Sequence, residues 1–161
     1  MRIFFLFVVL VLITVFFPKC SSMDTEDVLE KRGLHTDIEF ASYIQQFEKY
    51  SKIDTSSVPV SFGKLKKGVA GTCYQITIEG VVDIAYIEIN KRYWGKMSEK
   101  QKIQLIFHEF GHCVLDRDHV DWQTPNECPS SFMHDCVISN YCLGKYFNVY
   151  LKEMFLMKEG L

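Results

Sequence analysis

A chain of 161 residues with 18 Lys and Arg against 20 Asp and Glu carries a formal net charge of −2. That mild acidity, with no basic run, makes a nucleic-acid-binding role a poor fit. With an N-terminal leader set aside, the length suffices for one compact domain and not for two.

The leader comes first. Met1-Arg2 supplies a positive start, and Ile3 to Phe17 is apolar apart from Thr14. Such a run is short for a membrane span and suits a signal peptide over residues 1–22, so the protein is expected to be exported. Cys20 follows the apolar core directly and precedes Ser21 and Ser22. This arrangement suggests a bacterial lipoprotein of the cell envelope with Cys20 as the lipidated residue. Phe17, Pro18 and Lys19 are not the small residues usual before such a cysteine, so cleavage after Ser22 to a secreted or periplasmic product, or an uncleaved anchor, compete with it. Membrane contact is expected through a lipid anchor only. Residues 23–36 are polar and charged and read as a linker, which leaves 37–161 as the folded domain.

Thr36 and Glu39 have the spacing of a capping box at the start of a helix. Ile38, Ala41 and Ile44, with Phe47 and Tyr50, give it one buried face. Val58 to Phe62 reads as a strand, with Pro59 placing it near an edge or at a strand start. Gly63 to Gly71 reads as a lysine- and glycine-rich hairpin end. Thr72 to Glu79 is a second strand and Val81 to Asn90 a third. The break at Gly80 implies a hairpin between them. Ser98 and Gln101 form a second capping box, opening the helix that carries the central motif.

That motif is His108-Glu109-Phe110-Gly111-His112. Residues four apart share a helix face, so His108 and His112 can grip one metal ion, while Glu109 reaches a water on it. Ile103, Phe107, Phe110 and Val114 form an apolar stripe expected to pack on the sheet, with Leu105, His108 and His112 facing a cleft. Asp116-Arg117-Asp118 ends the helix, because aspartate tolerates the turn geometry needed to reverse the chain. His119 then returns as third ligand of a single Zn²⁺ ion, leaving one position open for water. Tyr141 to Met157 reads as a closing helix whose buried side is Leu143, Phe147, Tyr150, Leu151, Met154 and Phe155.

Six cysteines fit an oxidising compartment. If Cys20 is lipidated, five remain, so at most two bridges form and one thiol is left over. Cys113 should point away from the metal and is expected to pair with Cys73, tying helix to sheet. The connectivity of Cys128, Cys136 and Cys142 stays open.

With these residues in place, the chain resembles metzincin-type zinc metallopeptidases. More narrowly, it resembles small exported bacterial metallopeptidases whose helix reads His-Glu-Leu-Gly-His-Cys. The similarity runs from about Ile38 to Phe155 and includes Gly71-Thr72-Cys73, Ile87-Glu88-Ile89, Trp94, the His108–His119 motif and Ser131-Phe132-Met133. It implies an α+β zincin-like fold: a small mixed, twisted sheet packed on the active-site helix, then a Met-turn and a C-terminal helix. Met133 would be the apolar floor beneath the metal. The strand nearest the cleft, taken as Val81 to Asn90, would bind an extended peptide by strand addition. Residues after Met133 would wall the pocket for the side chain that follows the scissile bond. Leu115 stands where the family has glycine and Asp118 where it has the third histidine. A one-residue insertion reconciles this with His119, and Asp118 is the alternative third ligand. The tyrosine that some metzincins carry two residues after the methionine is replaced by Asp135.

The expected function is zinc-dependent endopeptidase action on peptide or protein substrates. A metal-activated water would attack the peptide carbonyl, with Glu109 as general base. The alternatives are a non-catalytic, surface-exposed zinc-binding lipoprotein of the same fold, and a site completed by Glu153 on the closing helix. His134, beside Met133, is a more distant candidate ligand.

Overall fold

The computed structural model describes residues 33–78 and 81–156. The expected signal peptide 1–22, Cys20 and most of the linker lie outside them. The sheet has three strands, β1 (Val60–Gly63), β2 (Gly71–Ile78) and β3 (Val81–Asn90), in the order β1-β3-β2. β1 pairs parallel with β3, and β2 pairs antiparallel with it from Ile78↔Val81 to Gly71↔Ile89, as a hairpin requires. β3 is central because Ile84, Ala85, Ile87 and Ile89 are all buried. A run that must be covered on both sides belongs inside a sheet rather than at its edge.

Two expectations about the sheet are corrected. The Lys64–Ala70 segment is no hairpin end, because β1 and β2 lie on opposite sides of β3 and the chain must cross the end of β3 between them. Asn90 pins that crossing, donating its backbone N–H to Ala70 O at 2.8 Å and its side-chain amide to Val69 O at 3.1 Å. The Tyr93 hydroxyl accepts from Gly68 N–H at 2.9 Å, and Gly68 sits at φ +95°, where a side chain would be strained. Nor is the expected strand, Val81 to Asn90, the one nearest the cleft. Val81–Asn90 has both edges paired, so the free edge beside the helix that carries His108 and His112 belongs to β2.

The first helical segment is a 3-10 turn, Ile38–Phe40, running into α1 (Ala41–Ser51). The Thr36–Glu39 capping box does not form, because those side chains are committed elsewhere. Thr36 Oγ1 accepts from Val60 N at 3.2 Å, and Asp37 Oδ2 accepts from Phe62 N at 2.8 Å. Glu39 Oε1 accepts from the Trp94 indole at 2.6 Å. The start of the helix is thereby stitched to β1 and rotated. Phe40, Tyr43 and Phe47 are buried, whereas Ile38 is 90% exposed.

A one-turn helix, α2 (Lys91–Trp94), is capped by the Asn90 side chain and inserts Trp94 among Phe40, Tyr43 and Phe62. The long helix α3 (Glu99–Cys113) begins with the full Ser98–Gln101 capping box. Its Phe107/Phe110 stripe packs against the flanking helices within the common core. Phe47 of α1 lies 4.7 Å from Phe110 and 5.4 Å from Phe107 between ring centroids, and Phe155 lies 5.7 Å from Phe107. Each buried Phe contributes on the order of 1.5–3 kcal/mol. Glu109 and Cys113 also meet the sheet, and Cys113 forms the expected disulfide with Cys73. α4 (Asn140–Leu156) closes the domain with Leu143, Tyr150, Leu151 and Met154 buried. A second disulfide joins Cys128 to Cys142, and Cys136 is a free, exposed thiol. Among the described residues, no helix is long and apolar enough to cross a membrane.

Candidate metal centre

Helix α3 sets His108 and His112 one turn apart on the cleft side. After Cys113 the helix unwinds through a tight reversal. Leu115 N bonds Phe110 O at 3.3 Å and Arg117 N bonds Gly111 O at 3.0 Å. Asp116 adopts φ +51°, the left-handed conformation that glycine takes most easily and aspartate tolerates. This reversal returns His119 to the face of the helix it has just left.

The result is a triangle of ring nitrogens. His108 Nε2 and His112 Nε2 are 3.1 Å apart, and His119 Nε2 lies 3.2 Å from each. These contacts are not a ring of hydrogen bonds. His108 Nδ1 donates to Phe132 O at 2.9 Å and His112 Nδ1 donates to Arg117 O at 2.7 Å. With Nδ1 protonated in both neutral rings, each Nε2 turns a lone pair inward. Burial holds His108 down to about 4 and lowers His112 as well, so both rings are neutral at physiological pH. Lone pairs converging at this distance repel unless a cation sits among them. Ligands of a tetrahedral metal with bonds of roughly 2.0–2.1 Å stand about 3.3 Å apart, so the donor set fits such an ion. The outward Nδ1–H bonds are the kind of support that fixes the tautomer and ring plane of metal-binding histidines.

Glu109 is 4% exposed, and burial pushes its carboxyl up to about 7, against the lowering effect of a backbone hydrogen bond with Cys73. β2 makes room for it at Gly71, where an added Cβ would lie 2.6 Å from Glu109 Oε1. Met133 is wholly buried on another side of α3. A Cβ at Gly111 would stand 2.3 Å from its sulfur and 2.9 Å from its methyl. The glycine inside the His-Glu-Phe-Gly-His motif therefore lets Met133 approach the helix.

A polar network locks these pieces together. Ser131 Oγ accepts from Met133 N at 2.9 Å and donates to Glu153 Oε2 at 2.6 Å. Glu153 also pairs with Arg117, whose carbonyl holds His112. Glu153 is thus a support of the turn and stands outside the imidazole cluster. Asp118 is exposed and also outside it, although its charge favours the protonated form of His112. His134, Asp135 and Cys136 form a separate group with their potential ligand atoms within 4.8 Å of one another. Arg117 and Ser131 have no motif that marks them as partners across the fold. Their roles depend on α4 returning to the turn.

A cavity of about 450 Å³ opens in front of the cluster. One wall is Gly68 to Cys73, its floor includes Gln104, Leu105 and the three histidines, and the opposite wall is His134 to Val137. A family model described as "Putative phage metallopeptidase" matches residues 38–128. The match spans the first helical turn through His119 and stops short of Met133. No curated protein and no solved structure matches the chain.

Proposed function

The chain belongs to the phage metallopeptidase family, and we propose that it is a zinc-dependent endopeptidase of metzincin type with His108, His112 and His119 as metal ligands. The observation that carries this reading is the convergence of three outward-braced imidazoles beside the buried carboxylate of Glu109. Three nitrogen donors at tetrahedral spacing suit zinc. In this reading Met133 is the Met-turn residue, packed against the helix through Gly111.

When bound, the metal supplies Lewis-acid polarisation of the peptide carbonyl and a water acidic enough to ionise near neutral pH. The remaining work falls to the chain. Glu109, at about 7, takes up a proton from the attacking water and returns it to the leaving amine. Its position between β2 and α3 excludes bulk water from that exchange. The free edge of β2 pairs with the backbone of an extended substrate, in the antiparallel sense that is the more stable per residue. The Cys73–Cys113 bond holds that edge at a constant distance from the ligands. Two disulfides in a small domain support export to an oxidising compartment. Lipid attachment at Cys20 is tested by fatty-acid labelling lost in Cys20→Ser.

The direct experiment is hydrolysis of a peptide library with and without a chelator, on the wild type, His119→Ala and Asp118→Ala. The reading expects chelator-sensitive cleavage, zinc occupancy reduced in His119→Ala and retained in Asp118→Ala. Unchanged zinc in His119→Ala together with loss in Asp118→Ala would overturn the ligand choice.

A further inference from the structure

The charges flanking the two ends of the cleft differ in sign, and Asp135, 3.2 Å from His134 Nδ1, stands in the cavity wall itself. Lys64, Lys66 and Lys67 lie on the crossing loop, and Lys91, Arg92 and Lys96 lie on or just after α2. All six are exposed, and the two segments are joined by the hydrogen bonds of Gly68 to Tyr93 and of Asn90 to Val69 and Ala70. Lys91 is steadied with its ammonium 5.3 Å above the Phe62 ring. Among the described residues none of the six takes part in an ion pair. Two neighbouring acids have partners of their own: Glu39 accepts from Trp94, and Glu99 from Tyr43 and Lys102. The half-buried Glu88 carboxylate lies against Gly63 at the start of the loop and offsets one charge of the patch. A cationic patch on a chain of net charge −2 is a local concentration of charge that the fold gathers. It is contiguous with the cleft, because Gly68, Val69 and Ala70 continue directly into the cavity wall.

The other end of the cleft has the opposite sign. Asp118 and Asp121 are exposed beside His119, and Arg117 on the same turn is neutralised by Glu153. β2 runs from one end to the other. Gly71 lies beside Glu109, and the Gln75 side chain donates to His112 O at 3.3 Å near the end of α3. A peptide added antiparallel to β2 therefore passes its C-terminal half over Gly71 towards the lysines and its N-terminal half towards the aspartates.

We infer that the enzyme selects segments with acidic residues on the C-terminal side of the scissile bond, held by the Lys64–Lys67 loop and α2. This rests on the peptidase reading above and names its substrate class. Exposed charges of this kind act through steering and weak pairing, so the preference is salt-dependent.

The test uses the zinc-loaded protein and one cleaved core sequence with three flanks: three Asp on the C-terminal side, three Asp on the N-terminal side, or neutral residues. The expected order of kcat/KM is C-terminal acid, then neutral, then N-terminal acid. The outer two should differ by about tenfold at about 25 mM salt and converge by about 0.5 M. Lys66→Glu with Lys67→Glu should abolish the advantage of the C-terminal acid. Lys49→Glu with Lys152→Glu, the same charge change away from the cleft, should leave the order in place. A flat or reversed order overturns the inference alone. The same holds if the Lys66/Lys67 variant loses binding to vesicles of anionic phospholipid while its peptide order is unchanged. Failure to cleave any of the three peptides overturns the peptidase reading and this inference with it.

Discussion

Replacing Glu109 with Gln in the metal-free protein isolates the cost of burying that carboxylate. The group is held at about 7 against an ordinary 4.5, chiefly by desolvation. The folded chain thus binds this proton more tightly than the unfolded chain, and stability falls as pH climbs from 4.5 to 7. A tenfold change in proton affinity is worth about 1.4 kcal/mol, so the full penalty above pH 7 is about 3 kcal/mol. His108 acts in the opposite sense. Its depression from 6.5 to about 4 means that the unfolded chain binds the proton more tightly. That contribution makes stability rise between pH 4 and 6.5, and His112, also lowered by burial, adds to it. In the wild type the two trends offset each other through the shared window. Urea denaturation of the metal-free protein across pH 4–8 should give a shallow profile for the wild type. For Glu109→Gln it should rise steeply, with the variant about 3 kcal/mol more stable at pH 8 and close to wild type at pH 4.5. Parallel profiles for the two proteins would show that Glu109 is not buried as a destabilised carboxylate, and its role as a proton carrier poised near neutral pH would fall with that.

Other perturbations probe the supports. Gly111→Ala drives a methyl into the buried Met133 sulfur and should cost about 1–3 kcal/mol of stability by overpacking, read as a lower urea midpoint. Gly71→Ala pushes the Glu109 carboxylate aside. It should lower kcat about 100-fold while zinc content, measured by atomic emission, stays near one per chain. Removing the Cys73–Cys113 bridge, which spans 40 residues of sequence, with a double alanine substitution should cost about 4 kcal/mol. A loss under about 1 kcal/mol would mean that the hairpin and α3 hold together without it.

The features legible in the sequence are those set by local chemistry. Ser98 and Gln101 cap α3 through their own backbone neighbours, and i,i+4 geometry alone puts His108 and His112 together. Asp116 supplies the left-handed residue of the turn, and that single backbone conformation carries His119 to the cluster. The features misread depend on distant partners. Thr36 and Glu39 look like a capping box until Val60 of β1 and the Trp94 indole claim their oxygens, and the helix they begin rotates as a result. Strand order could not be read from the β2–β3 hairpin, because β1 inserts parallel on the far side of β3 and leaves β2 as the edge. The Arg117–Glu153–Ser131 network joins three segments that only tertiary folding brings together.

The central claim is that this cluster holds zinc and that Glu109 moves the proton. Zinc content and peptide hydrolysis measured together on Glu109→Gln test it most directly. The expected result is about one zinc per chain, as in the wild type, with hydrolysis abolished. Wild-type hydrolysis by the Gln variant, or a wild-type protein that binds no zinc at these histidines, would contradict it.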